Sequence, residues 1–286
     1  MGYYKILHFK TKPMRAKHLI VAGMLSLNLF LAGCAPKLDD NAVLGKKPSL
    51  ESLQRLQSGN ATQPHKTSNL RTQALRDTAL SLGARGGLAW RADQINQLLT
   101  KQESYLNRIF RFHSLMLDKN VLPPVLIEAR NTLNLSGNDS IRIAERNYHI
   151  LKQARFVTGA PSWRDYLWLH YTPPEKPNRT LLPRNTSERM MWREFIEEGW
   201  QAGLQQADII YQENLGRLKR DFEGMIRYRS LLAKNMVSPP FVASMDMGVT
   251  GGGDNLTVHD RVLRITSFPA LQAESTEWKT EITPHE

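Results

Sequence analysis

Two proline pairs, Pro123-Pro124 and Pro239-Pro240, constrain this chain more than any other feature, because each closes a long helical stretch and opens an extended one. Proline lacks the amide hydrogen and disfavours helix in the residue before it, so no helix runs through either pair. Ahead of the first pair the pattern predicts helix from about Leu70 to Lys119. Leu88, Ile95, Ile109 and Met116 fall there on one seven-residue series, with Leu98, Tyr105 and Phe112 three places later. Ahead of the second pair it predicts helix from about Asn185 to Lys234. Leu204, Tyr211, Leu218, Met225 and Leu232 are spaced alike there, flanked by Trp200, Ala207, Leu215 and Phe222. Stripes of this spacing are core-facing and not cofactor sites. Asn185 three residues before Glu188 marks a helix start. Gly83, Gly87, Gly199, Gly203, Gly216 and Gly224 each cost about 1 kcal/mol relative to alanine inside a helix, so these segments bend, break or pack closely there.

After each pair come β-type residues with partial alternation: Ile141, Ile143 and Ile150, then Leu256, Val258, Val262, Leu263 and Ile265. The runs Ser136-Gly137-Asn138-Asp139 and Gly251-Gly252-Gly253-Asp254 supply turns, which predicts two small β-hairpins. Even the helix ends correspond, Arg111-Phe112-His113-Ser114-Leu115 beside Arg227-Tyr228-Arg229-Ser230-Leu231. The expectation is an α+β fold with a diverged internal duplication, its copies about 70–150 and 185–265 within a folded domain 70–269, followed by a polar tail 270–286. The connection 155–184 is dense in aromatics and prolines. Trp163, Arg164, Tyr166, Trp168 and Arg179 are residue types that dominate interfaces, yet the rings could equally plug the space between the copies; both readings stand.

The N-terminus makes a different demand. Lys5, Lys10, Lys12, Arg15, Lys17 and His18 precede an apolar run, Leu19 to Phe30, and no acidic residue intervenes. Twelve apolar residues fall short of the ~20 that a spanning helix needs, but suit a signal peptide. Leu31-Ala32-Gly33-Cys34 then resembles the lipobox of bacterial lipoproteins, in which the cysteine is acylated and becomes the mature N-terminus. Residues 1–33 are therefore expected to be removed and Cys34 to carry acyl chains of the palmitate type. Two or more chains anchor stably, at about 0.8 kcal/mol per buried methylene. Ala35-Pro36 lacks the acidic residue associated with inner-membrane retention, which favours the periplasmic face of the outer membrane. Cys34 is the single cysteine, so no internal disulfide can form. Residues 34–69 are polar and read as a flexible tether with a reach of ~30–35 Å. Leu50, Leu53 and Leu56 within it fit one helical turn, either docked on a partner or solvated.

The formal charge of +11 falls to +6 without residues 1–33, which hold five Lys/Arg and no Asp/Glu. The remaining charges are interspersed, which gives direct nucleic-acid binding little support. No nucleophile elbow, zinc motif or phosphate loop occurs. His113, His149, His170 and His259 stand singly, Glu197-Glu198 point apart on a helix, and Gly251-Gly252-Gly253-Asp254-Asn255 lacks the repeated acids of a calcium loop. No enzyme activity, cofactor or metal is expected.

The lipobox and several stretches together resemble the DotC family, lipoproteins of type IVB secretion systems related to the TraI lipoprotein of IncI-type conjugation. The stretches are Arg76-Asp77-Thr78-Ala79-Leu80-Ser81-Leu82-Gly83-Ala84-Arg85-Gly86-Gly87-Leu88-Ala89-Trp90, Ala154-Arg155-Phe156-Val157, Trp163-Arg164-Asp165-Tyr166-Leu167-Trp168 and Asn235-Met236-Val237-Ser238-Pro239-Pro240-Phe241. The resemblance implies a non-catalytic subunit of an outer-membrane core complex. Its implied partners are a DotD-like lipoprotein, a DotH-like channel subunit that it helps to place in the outer membrane, and other core-complex subunits. The alternative from a different class is a periplasmic lipoprotein that binds or acts on the cell wall.

Overall fold

A computed structural model describes residues 48–59, 68–135 and 141–279. In chain order the elements are helices α1 (Leu50–Gln54), α2 (Asn69–Lys101) and α3 (Glu103–Ile109), strands β1 (Val121–Leu122), β2 (Val125–Leu135), β3 (Ile141–Lys152) and β4 (Arg155–Phe156), helices α4 (Arg164–Leu167) and α5 (Thr186–Ala233), and strands β5 (Phe241–Gly252) and β6 (Asn255–Ser267). The fold is α+β. Helix, proline pair and hairpin occur twice in the same order.

The centre is the pairing of α2 with α5, which run parallel. Arg71 meets Glu188 near their starts, and Arg91 meets Asp208 further along. Glycines set their separation. A Cβ on Gly83 would strike the backbone oxygen of Ile196, and one on Gly87 that of Trp200. Reciprocally, a Cβ on Gly199 would strike the oxygen of Leu80, and one on Gly203 that of Ala84. Each contact thus has its mirror 116 residues away, and two Gly-x-x-x-Gly faces lie against one another, the arrangement that lets helix backbones touch. Of the alternatives open for these four glycines, close packing is the one found.

Both helices start on polar caps. Ser68 Oγ accepts from Arg71 N at 3.3 Å, and Asn185 Oδ1 accepts from Glu188 N at 2.8 Å. The end of α5 is a left-handed turn: Asn235 has φ 57°, its N–H donates to Leu232 O at 3.0 Å, and Met236 N–H donates to Leu231 O at 2.9 Å. Asn120, its counterpart before the first proline pair, also has φ 57°.

The first helical stretch is shorter than the pattern predicts. It breaks at Gln102 and ends at Ile109, not near Lys119. Aromatic packing is the reason: Phe110 and Phe112 each meet the edge of Phe222, at 5.3 and 5.1 Å between ring centres, and Phe112 stacks on Tyr166 at 5.8 Å. A continued helix could not aim both rings inward. Leu98 and Tyr105, expected on the buried stripe, are exposed, while Ala92, Ile95 and Leu99 take the core positions.

Two further expectations need correction. Residues 48–59, assigned to the tether, include α1, whose Leu53 and Leu56 are buried with Leu75, Leu82, Trp192 and Ile196. The Trp192 indole donates to Leu53 O at 3.0 Å, and Gly86 leaves the space that the Leu53 side chain fills. The docking partner of this turn is the chain's own helix pair. At the other end, residues 270–279 are not a free tail. Leu271 pairs with Val237, Ser238 N donates to Ala270 O, and Asn235 Nδ2 donates to Glu277 O. This clasp at the base of β5–β6 parallels the antiparallel pairing of β1 with β4 at the base of β2–β3, which the residue pattern does not announce.

Candidate interaction surface

Hairpin β2–β3 is seated firmly at one end. Leu126, Tyr148 and Ile150 pack with Tyr228, Leu231 and Val237, and Gly224 on α5 makes room for Val125 and Leu126. Arg227 donates to Leu126 O at 2.8 Å and stands 3.5 Å from Glu128, a carboxylate held below its usual range. Burial alone would raise that group; hydrogen bonding from Arg130, with the charges of Arg130, Arg227 and Arg146, outweighs it. At the same base, where Lys152 of β3 pairs with Val125, Lys152 reaches buried Asp221 at 2.5 Å, and the Tyr166 hydroxyl donates to the same oxygen at 3.2 Å. The second Asp221 oxygen faces Arg220 at 3.5 Å without a hydrogen bond among the described residues. Burial, then the Asp221 charge, pushes the Tyr166 phenol up to about 12.

Away from this base the hairpin changes character. Leu133 opposes Ile143 and Leu135 opposes Ile141, so the four share one face, and each is between 52 and 80 % exposed. Hairpin β5–β6 is exposed along its whole length, with Phe241, Met245 and Val262 bare in its lower half as well. Val249 opposes Val258, Gly251 opposes Leu256, and these three side chains are 58 to 68 % exposed. With strands of 11 to 13 residues, each arm extends about 40 Å at ~3.3 Å per residue.

An isolated two-stranded ribbon is marginal in water and presents two unprotected edges. Here each arm carries a mid-strand irregularity in left-handed backbone, at Asn131 (φ 48°) in the first and at Gly248 (φ 68°) and His259 (φ 58°) in the second. In β5–β6 the register shifts around Gly248, a bulge that twists the edge away from strand addition, whereas in β2–β3 the register is unbroken across Asn131 and shifts only between Val125 and Leu126. Fully covering a Leu or Ile side chain contributes about 1.5–3 kcal/mol, so sealing the four-residue face of the first arm contributes on the order of 4–8 kcal/mol.

The contact residues proposed from composition lie elsewhere. Trp163 is 1 % exposed, with its indole donating to Asn107 at 2.6 Å, and Tyr166 is held between Phe112 and Asp221. Trp168 is half-buried beside the buried Leu167 and Leu169. For these rings the plug is the reading that holds: an aromatic segment laid over α5 buries more apolar area than one left in solvent. Arg164 lies over Trp163 at 4.4 Å and pairs with Glu103 at 2.8 Å; Arg179 is exposed. Leu31, Ala32, Gly33 and Cys34 fall outside the described residues. Of the exposed aliphatics, Ile141, Ile143, Leu256 and Val258 are legible as strand residues from their i, i+2 spacing; Leu133, Leu135 and Val249 were not singled out. Spacing reveals a face but not whether anything covers it.

Other chemistry is sparse. Among the described residues no group of three His, Cys, Asp or Glu gathers to hold a metal, and no helix is long and apolar enough to cross a membrane. The cleft between Trp90, Asn96, Tyr171 and Pro173 measures about 120 Å³. A second hollow, about 460 Å³ along the start of α2 at Asn69, Thr72, Arg76 and Asp77, is of ligand size but lies wide open to solvent.

The fold thus defines an α+β protein whose glycine-welded parallel helices carry two β-arms with bare aliphatic faces. A family model described as type IV secretory system, conjugal DNA-protein transfer, matches residues 69–280, and the chain belongs to that family, TraI of the type IV secretory system. No curated protein matches the chain.

Proposed function

We propose that this chain is a non-catalytic lipoprotein subunit of the outer-membrane core complex of a type IVB secretion system, of the DotC kind. Acyl chains on Cys34 hold it to the periplasmic face of the outer membrane. With a DotD-like lipoprotein it assists placement of a DotH-like channel subunit. Membership of a type IV secretion family supports the setting, and the lipobox supports the anchor. The observation that carries a scaffold role is the pair of arms, whose exposed aliphatic faces suit protein contact. Conjugal DNA-protein transfer in the family's description favours DNA with its bound protein as the cargo.

The test uses a cell that carries the whole secretion system. Extracted in mild detergent, the chain should sediment in a large envelope assembly, and mass spectrometry should find Cys34 acylated. C34S should release the chain from the membrane fraction and reduce the DotH-like subunit in the outer membrane. A chain that sediments alone, or that pulls down with purified peptidoglycan and not with envelope proteins, refutes the reading.

A further inference from the structure

We propose that the outer half of hairpin β2–β3 takes up, along its open edge, an extended segment of another protein in which acidic and aliphatic residues alternate. Strand register divides this half into two unlike faces. Leu126 and Ile150, seated on α5, begin one face, which continues outward through Glu128 with Tyr148, Arg130 with Arg146, Thr132 with Ala144 and Asn134 with Arg142. The opposite face runs from Ala129 with Asn147 to Leu133 with Ile143 and Leu135 with Ile141. One side is thus aliphatic and the other carries arginine.

The arginine side is unbalanced. Arg130 and Arg146 stand directly opposite each other, a pairing of like charges that destabilises a sheet left to itself. Glu128, its side chain 11 % exposed, already serves Arg130 at 3.2 Å, Arg227 of α5 at 3.5 Å and Arg146 at 4.0 Å. Arg142, further out and exposed, shares the face without a carboxylate opposite it. Guanidinium groups that gather on one carboxylate are spaced for others, and the arginine fork matches a carboxylate with two hydrogen bonds. The backbone is equally receptive. β2 and β3 form a sheet of their own, so each is an edge strand, and among the described residues no backbone hydrogen bond leaves the hairpin from Glu128 to Leu135 or from Ile141 to Ile150. An added strand sends successive side chains to opposite faces. One that alternates acid with aliphatic sets carboxylates beside the arginines and apolar groups beside Leu133 and Ile143. A bilayer could cover the aliphatic side but would leave the opposed arginines unrelieved; a nucleic acid could neutralise the arginines but would leave the aliphatic side bare. The two-faced ribbon therefore favours a protein strand.

The probe is a fluorescein-labelled peptide of alternating glutamate and valine, about eight residues long to match the stretch from Glu128 to Leu135, titrated with the full chain in mild detergent and followed by anisotropy. R130E/R146E should weaken binding about tenfold or more. Because both arginines also hold Glu128, R142E is the second variant, expected to weaken binding severalfold with an unchanged circular dichroism spectrum. I143S should weaken it from the aliphatic side. R85E/R193E, which makes the same charge change as R130E/R146E at exposed positions of α2 and α5, should leave it unaltered. The same residues arranged in two blocks, glutamates then valines, should bind about tenfold more weakly. Equal binding of the block peptide, an effect of R85E/R193E as large as that of R142E, or no binding at about 1 mM peptide overturns the proposal. Capture of phosphatidylglycerol vesicles or of a single-stranded oligonucleotide, tighter than that of the peptide and lost in R142E, overturns it in favour of lipid or nucleic acid. Purified chain and synthetic probes leave the anchor at Cys34 and the core-complex reading untouched by any of these results.

Discussion

Gly87→Ala sets helix propensity against packing within one substitution. Alanine gains about 1 kcal/mol over glycine in a helix interior. At position 87, however, the new methyl would overlap the Trp200 carbonyl oxygen and lie 3.1 Å from both Trp200 C and Cα. Those are backbone atoms of α5, so relief requires the helices to separate, which also loosens Trp200 and the α1 turn packed near it. Overpacking of this kind costs about 1–3 kcal/mol, here near the upper end because no side chain can rotate away. The net expectation is a loss of about 2 kcal/mol. Gly216→Ala is the internal control, since that exposed position in α5 has nothing within 4 Å of its Cβ. It should gain about 1 kcal/mol. The two variants therefore differ by about 3 kcal/mol, roughly 6–12 °C in melting temperature for a chain of this size, readable by circular dichroism. Gly203→Ala should resemble Gly87→Ala, and the double variant should lose less than the sum, because helices already pushed apart accept the second methyl. A Gly87→Ala chain as stable as Gly216→Ala would refute the close-packed parallel pair.

Leu53→Ala removes a side chain with no exposed surface and should cost about 2–5 kcal/mol, with new protease cuts near residues 50–56; unchanged stability would return this turn to the tether. Alkaline pH should unfold the protein through two phenols. Burial, chiefly, raises Tyr166 and Tyr228 to about 12. Their contribution is complete below the ordinary phenol value near 10 and is lost as pH rises from there through 12, because the unfolded chain then sheds protons that the folded chain retains. Tyrosine absorbance during a pH titration should show ionisation arriving together with unfolding for Y166F/Y228F-sensitive signal, and two phenols titrating freely near 10 would contradict their burial.

Much of the architecture is legible in local chemistry. Proline pairs stop helices wherever they occur, alternating β-type residues beside Gly/Asn/Asp turns make hairpins, and Asn185 caps a helix whatever packs on it. The role of the aromatic connection was not legible, because Trp163 and Tyr166 suit a core or an interface equally well. What decides between them is the seat offered by Phe112, Phe222 and Asp221, residues distant in sequence. The leucines at 53 and 56 pose the same problem, since a short apolar pattern in a polar segment acquires a role only when Gly86 and Trp192 supply a pocket.

The sequence by itself determined the order helix, proline pair, hairpin, twice over, since these rest on covalent geometry and neighbouring residues. Only the tertiary structure decided that the glycines face one another, that both ends of the folded part are clasped to the body, and that the arms' aliphatic faces are left uncovered. The physical reason is that burial belongs to pairs of surfaces: whether a leucine is core or contact depends on what lies within about 4 Å of it, and chain neighbours do not fix that distance.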